Sequence, residues 1–185
     1  MPRSFVAIDS NEKIRNCLVK IQKSLKRTGA DLKLVEPENI HLTLKFLGNV
    51  SENRLELVKE KIRNIEKIDS FELQVNGLGV FPRPSFIRVI WAGVSKGEDK
   101  TVDLRKKLDK KLAEIDFEPE DKDFTPHFTI ARMKSGRAKD EVLSQIEENS
   151  DTNFGSVIVK EVKLKKSELT SEGPIYTTLE SVELS

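Results

Sequence analysis

The chain has 185 residues, 34% of them charged and 37% hydrophobic, with 32 Lys and Arg against 31 Asp and Glu. That length is a soft prior of about one domain, and it buries enough surface to fold without a disulfide or a metal. The net charge of +1 argues against binding nucleic acid through a large basic field, and a single cysteine excludes an internal disulfide and a cysteine zinc cluster.

No run reaches the ~20 apolar residues of a membrane span, and the charged N-terminus is not a signal peptide, so a cytoplasmic protein is expected. Residues 4–8 read as a buried strand. Asp9 is then expected to cap a helix with Glu12 as its reciprocal partner, Ile14, Cys17, Leu18, Ile21 and Leu25 forming the apolar stripe up to Gly29. Cys17 on that stripe reads as a small core hydrophobe rather than a nucleophile. Residues 40–47 alternate as a strand with one buried face, closed by Gly48-Asn49. Ser51 opens a second helix carrying Leu55, Val58, Ile62 and Ile65. Strands over 71–75 and 87–94 are expected to be joined by the glycines and prolines of 77–84.

The second half repeats this order. Leu104, Leu108, Leu112 and Ile115 mark a third helix, residues 124–132 a strand, and 138–147 a fourth helix. Final strands over 157–164 and 175–184 are joined by residues 168–174. The order β-α-β-α-β-β then α-β-α-β-β is a weak internal duplication. It predicts an α+β chain forming a single domain over 1–185, built of two pseudo-symmetric lobes whose antiparallel sheets face a central cleft, with helices outside.

Both histidines of the chain lie in the pattern His-x-Thr: His41-Leu42-Thr43 and His127-Phe128-Thr129. Residues two apart in a strand share a face, so each strand offers an imidazole and a hydroxyl opposite its apolar side. A lone histidine on a strand is usually structural. Two histidines, in one pattern, at matching places of a duplicated order, point instead to chemistry. Imidazoles titrate near neutrality, so a pair can hold one neutral base and one charged acid. Hydrolysis of a phosphodiester requires that division, and threonine hydroxyls can donate to the non-bridging oxygens. Zinc wants three or four ligands, and two histidines with no cysteine or paired carboxylates beside them fall short, so no metal and no cofactor are expected. There is no Gly-x-Ser-x-Gly and no glycine-rich phosphate loop.

Five ordered segments resemble the 2H phosphoesterase superfamily, in particular its RNA 2′,3′-cyclic phosphodiesterases, long labelled 2′-5′ RNA ligases. They are residues 4–9, 38–48, 77–82 with 88–93, 125–132, and 167–169 through 173–176. The sequence departs from the family at Leu34, where an aromatic is common, and at Ile130, which replaces a leucine. The resemblance implies a metal-independent enzyme that opens a 2′,3′-cyclic phosphate on RNA to a 2′-phosphate. In it His41 would be the acid, His127 the base, and Thr43 and Thr129 phosphate ligands. Arg132 is a further candidate for a phosphate or ribose contact. Its parity is opposite to that of His127, so on a straight strand it points away from the cleft, and a bend would be needed. Lys45 shares parity with His41 but reads as a solvated lysine. Phe81 and Trp91 read as core aromatics, with base stacking the alternative. The lysine pairs at 106–107 and 110–111 read as a solvated helix face.

Two other functions fit the same residues: 2′-5′ end joining at this site, and a non-catalytic module for phosphorylated RNA ends. The second has no use for two histidines. The expected partner is an RNA with a cyclic phosphate terminus, such as a tRNA fragment, or a small cyclic nucleotide, acted on by a monomer. The balanced charge predicts contacts confined to the terminal nucleotides and a shallow salt dependence.

Overall fold

The computed structural model describes residues 1–120 and 122–185. In chain order it comprises β1 (Arg3–Asp9), α1 (Glu12–Lys26), β2 (Leu32–Leu34), β3 (His41–Asn49), α2 (Glu52–Arg63), β4 (Phe71–Arg83), β5 (Phe86–Val94), α3 (Glu98–Ala113), β6 (His127–Met133), α4 (Lys139–Glu148), β7 (Asn153–Val159), β8 (Glu161–Thr170) and β9 (Gly173–Glu183). It is a mixed α/β fold with four helices on a curled antiparallel sheet, of the α+β class the patterning predicts.

The strands run in the order β7-β4-β5-β6-β3-β1-β8-β9, with β2 added beside the far end of β6. Two wings result. They are joined where β3 meets β6, through the register pair Leu42 and Phe128. The wings do not coincide with the halves of the chain. One wing combines β1 and β3 with the C-terminal β8 and β9; the other combines β4 and β5 with β6 and β7. Helices α1 and α4 cover the second wing, whereas α2 and α3 pack on each other and on the first.

The amphipathic spacing accounts for this. Ile14, Leu18 and Leu25 of α1, Leu55, Val58 and Ile62 of α2, and Leu104, Leu108 and Leu112 of α3 are all buried against the sheet. Each such side chain contributes about 2 kcal/mol on removal from water. Cys17 packs half-buried against this core, as its place on the stripe implies. Among the described residues no helix is long and apolar enough to cross a membrane.

Several sequence expectations are corrected. The α1 cap is Asn11, whose side chain accepts from Ile14 N at 2.9 Å. Asp9 instead ends β1, where its carboxylate accepts from Lys163 (2.9 Å) and Lys165 (2.5 Å) of β8. Burial alone would raise that carboxyl; the two ammonium groups outweigh it and hold it below the usual range. The segment 77–84 is largely strand, since β4 continues to Arg83 and only Pro84 and Ser85 turn the chain. The strand expected over 157–164 is broken at Lys160, because its two parts serve different wings: β7 pairs with β4, and β8 with β1. Likewise β8 and β9 run on into 168–174, leaving a tight turn at Ser171-Glu172. β2 has three residues, too short to show a period, and was not anticipated.

Candidate active site

The cleft between the wings has a volume of about 700 Å³ and is lined by His41, Thr43, His127, Thr129 and Arg132, the five residues the sequence singles out. β3 supplies the first two and β6 the others. The buried alternates Leu42, Leu44, Phe128 and Ile130 hold each strand on its apolar face, which turns the His and Thr side chains to the cleft.

Both imidazoles are oriented in the same way. Nδ1 of His41 lies 2.6 Å from the carbonyl of Asn39, and Nδ1 of His127 lies 2.7 Å from the carbonyl of Thr125. A carbonyl can only accept, so each Nδ1 carries the proton and each Nε2 is the nitrogen free to exchange one. Nε2 of His41 is 2.9 Å from Oγ1 of Thr43, whose hydroxyl donates to it in the neutral ring. Aromatic rings fix the planes: Phe5 stacks on His41 at 4.9 Å with Tyr176 edge-on at 5.3 Å, and Phe81 lies edge-on to His127 at 5.0 Å.

Electrostatics favour neutral rings in the cleft. Burial pushes His41 down to about 4; the carbonyl of Asn39 and Asp9 oppose this, while Lys165 and His127 add to it. Burial also lowers His127, the carbonyl of Thr125 opposing and Arg132 adding to the shift. The cleft therefore disfavours positive charge until an anion enters it.

Two parity expectations are overturned by a matching pair of β-bulges. In β6, Thr129 pairs with Trp91 and Ala131 with Ile90, so Ile130 is the extra residue. In β3, Thr43 pairs with Ala7 and Lys45 with Val6, so Leu44 is extra. A bulge shifts the alternation by one residue. Arg132 is thereby turned into the cleft, and so is Phe46, its counterpart on β3, which is 59% exposed. Lys45 borders the same cleft, but its ammonium is taken up by α3. It is 3% exposed, with Nζ 2.6 Å from Asp109 Oδ1 and 2.8 Å from the carbonyl of Glu118. It is an internal tie to α3, not a solvated lysine.

Of the two aromatics, Phe81 lines the cleft, while Trp91 lies half-buried behind it, ring centroids 4.9 Å apart. Gly79 makes room for the indole; a Cβ there would stand 2.3 Å from the ring. The indole Nε1 is buried without a hydrogen-bond partner. Several contributors were missed by the sequence reading: Phe5, Tyr176, and Asn39, whose carbonyl orients His41 while its side chain donates to Pro174 O at 3.0 Å. The signal available for Asn39 was its place two residues before a histidine, repeated at Thr125. Among the described residues no group of three or more His, Cys, Asp or Glu converges as a metal site would. In the lysine pairs of α3, Lys106 and Lys110 are exposed and Lys107 and Lys111 half-buried, Lys107, Lys110 and Lys111 each bonded to a carboxylate.

Two His/Thr pairs and an arginine lining one cleft are the groups that acid–base chemistry on a phosphate ester calls for. The family model for LigT-like phosphoesterases matches residues 8–91 and 93–176, and the chain belongs to that family. A protein of Methanothermobacter thermautotrophicus named RNA 2′,3′-cyclic phosphodiesterase is 42% identical over 179 residues, covering 96% of each chain. One of the same name from Thermotoga maritima is 37% identical, covering 96% of this chain and 92% of its own. A crystal structure from Thermus thermophilus superimposes with a TM-score of 0.79 at 30% identity, covering 98% of this chain and 97% of the other. That of Escherichia coli LigT complexed with 3′-AMP gives a TM-score of 0.77 at 25% identity, covering 100% and 98%.

Proposed function

We propose that the cleft hydrolyses 2′,3′-cyclic phosphate ends of RNA to 2′-phosphate ends, without a metal, by paired histidine acid–base catalysis. The observation that carries this reading is the shared orientation of the two imidazoles, each with Nδ1 tied to a carbonyl and Nε2 left for proton transfer. The names of the similar archaeal and bacterial proteins support the substrate.

In this mechanism the phosphate sits between the strands, its non-bridging oxygens taking hydrogen bonds from Thr43, Thr129 and Arg132. Nε2 of His127 takes a proton from water as the oxygen attacks phosphorus. The P–O3′ bond breaks in line, and O3′ takes the proton from Nε2 of His41. The product is a 2′-phosphate and a 3′-hydroxyl. His127 ends protonated and His41 neutral, and exchange with solvent restores the pair. The entering anion supplies the negative charge that a protonated imidazole lacks in the empty cleft.

The test is product analysis on a short RNA with a 2′,3′-cyclic end. His41→Ala and His127→Ala are each expected to lower kcat by about 10²–10⁴-fold, the usual worth of a general acid or base. EDTA leaves the wild type unchanged. Full activity in either variant, or a 3′-phosphate product, overturns the mechanism.

A further inference from the structure

The far edge of the second wing gathers cations that the overall charge balance conceals. Lys33 pairs in register with Arg132, and Val89 pairs with Arg132 from the other side. The start of β2, the end of β6 and the β4–β5 turn therefore lie along one edge, beginning at the cleft. Arg83 ends β4 and Arg88 lies near the start of β5, on either side of the turn, Arg88 at the unpaired position of a bulge. Lys134 donates its backbone N–H to Asp31 O at 2.9 Å, and Arg137 Nε donates to Gly29 O at 2.8 Å, which sets both beside the entry to β2.

All six of these cations, Lys33, Arg83, Arg88, Arg132, Lys134 and Arg137, are exposed, and none has a carboxylate within ion-pair distance among the described residues. Of the lysines of α2 and α3, Lys59, Lys61, Lys107, Lys110 and Lys111 are each paired, while Lys100 and Lys106 stand apart from the cleft. Phe86, which opens β5 beside that turn, is 48% exposed, with the Arg88 guanidinium 5.2 Å over its ring. Unpaired cations continuous with a phosphate site, with an exposed aromatic among them, match the chemistry of a nucleic-acid strand: charge for successive phosphates and a face for a base.

We propose that this edge, outside the cleft, is a second contact surface that holds the RNA body upstream of the cyclic end. The inference rests on the hydrolytic reading of the cleft, and it replaces the expectation that contacts stop at the terminal nucleotides. A net charge near zero reports only the sum; the edge carries its charge locally.

The experiment compares turnover of 2′,3′-cyclic AMP with turnover of a twelve-nucleotide RNA ending in a 2′,3′-cyclic phosphate. The variants are Arg83→Glu/Arg88→Glu/Lys134→Glu and a control of equal charge change, Lys100→Glu/Lys106→Glu/Lys160→Glu. For the edge variant, KM for the oligonucleotide is expected to rise about tenfold or more and its log–log salt slope to fall by about 2, near 0.7 per single-strand phosphate contact. Turnover of cyclic AMP is unchanged, and the control behaves as wild type. An oligonucleotide KM and salt slope equal to wild type in the edge variant overturns the proposal. Should the reversed variant fail to fold, Arg83→Gln/Arg88→Gln/Lys134→Gln carries the same comparison. If wild type turns over neither substrate, the hydrolytic reading fails on its own. Fluorescence anisotropy of the labelled RNA then decides the edge: unchanged affinity in the variant overturns it. Equal displacement by polyglutamate reassigns the edge to an acidic protein.

Discussion

A histidine held away from water is a poor base for a free proton and a good one for a proton that arrives with an anion. His41, pushed down to about 4 chiefly by burial, is close to fully neutral at pH 6, and His127 is lowered in the same direction and for the same leading reason. A phosphate between them stabilises the charged ring and raises its pKa. In the interval between the free and bound values the complex carries more protons than its parts, so binding takes up a proton. Affinity then falls as pH rises, by as much as about tenfold per unit where uptake is complete. Sulfate is a suitable probe because it does not titrate in this range. Calorimetry between pH 5 and 7, in buffers of differing ionisation enthalpy, is expected to show close to one proton taken up by wild type and a reduced uptake in His41→Ala. Heats independent of buffer would contradict a cleft that is neutral when empty.

At the scale of elements, the His-x-Thr strands were legible because both obey a period of two up to the threonine. Beyond it the period breaks, and a straight-strand reading assigns Arg132 and Phe46 to the wrong side and Lys45 to solvent. The trace left in the sequence is small: Ile130 and Ala131 are adjacent apolar residues where alternation calls for one, as two buried positions in succession at a bulge require. Asp9 was misread as a cap because Asp-x-x-Glu fits the capping pattern, while its true partners, Lys163 and Lys165, stand at the other end of the chain and reach it only through the β1–β8 pairing. The bulge at Leu44 has a structural consequence as well. It sends Lys45 into α3, where one ammonium satisfies Asp109 and the carbonyl of Glu118, while Arg105 joins Asp109 at 3.5 Å and lies 4.4 Å over Phe124. Phe124 precedes Thr125, the residue whose carbonyl orients His127. Truncating Lys45 leaves Asp109 short of a partner in a largely buried place, a loss of about 3 kcal/mol. Urea unfolding of Lys45→Ala is expected to show it, and Lys45→Met/Asp109→Leu to recover only part of it, since the buried Arg105 keeps Glu120 but loses Asp109. An unaltered midpoint in the single variant would mean that the tie contributes nothing to stability.

For the whole molecule, the decisive feature is that each wing brings half of the proposed phosphate site. His41 and Thr43 come from one and His127, Thr129 and Arg132 from the other, while the sheet itself passes between them through the single pair Leu42 and Phe128. The wings are also covered by different helices, so the layers beyond the sheet do little to bridge them. A ligand held from both sides adds a second connection across this narrow join. At 100 times its Kd such a ligand stabilises the fold by about 2.7 kcal/mol, which for a chain of this size raises Tm by about 5–10 °C. That shift alone would follow from any tight site. The arrangement of the wings makes a sharper demand: amide hydrogen exchange should slow on both β3 and β6, and most at Leu42 and Phe128, when the product mimic 2′-AMP is bound. Arg132→Ala, which loses one grip from the second wing, is expected to lower both the Tm shift and the protection of β3, although Arg132 lies on β6. Protection confined to one wing, or protection of β3 that survives Arg132→Ala in full at saturating ligand, would show that the anion does not link the two halves of the sheet.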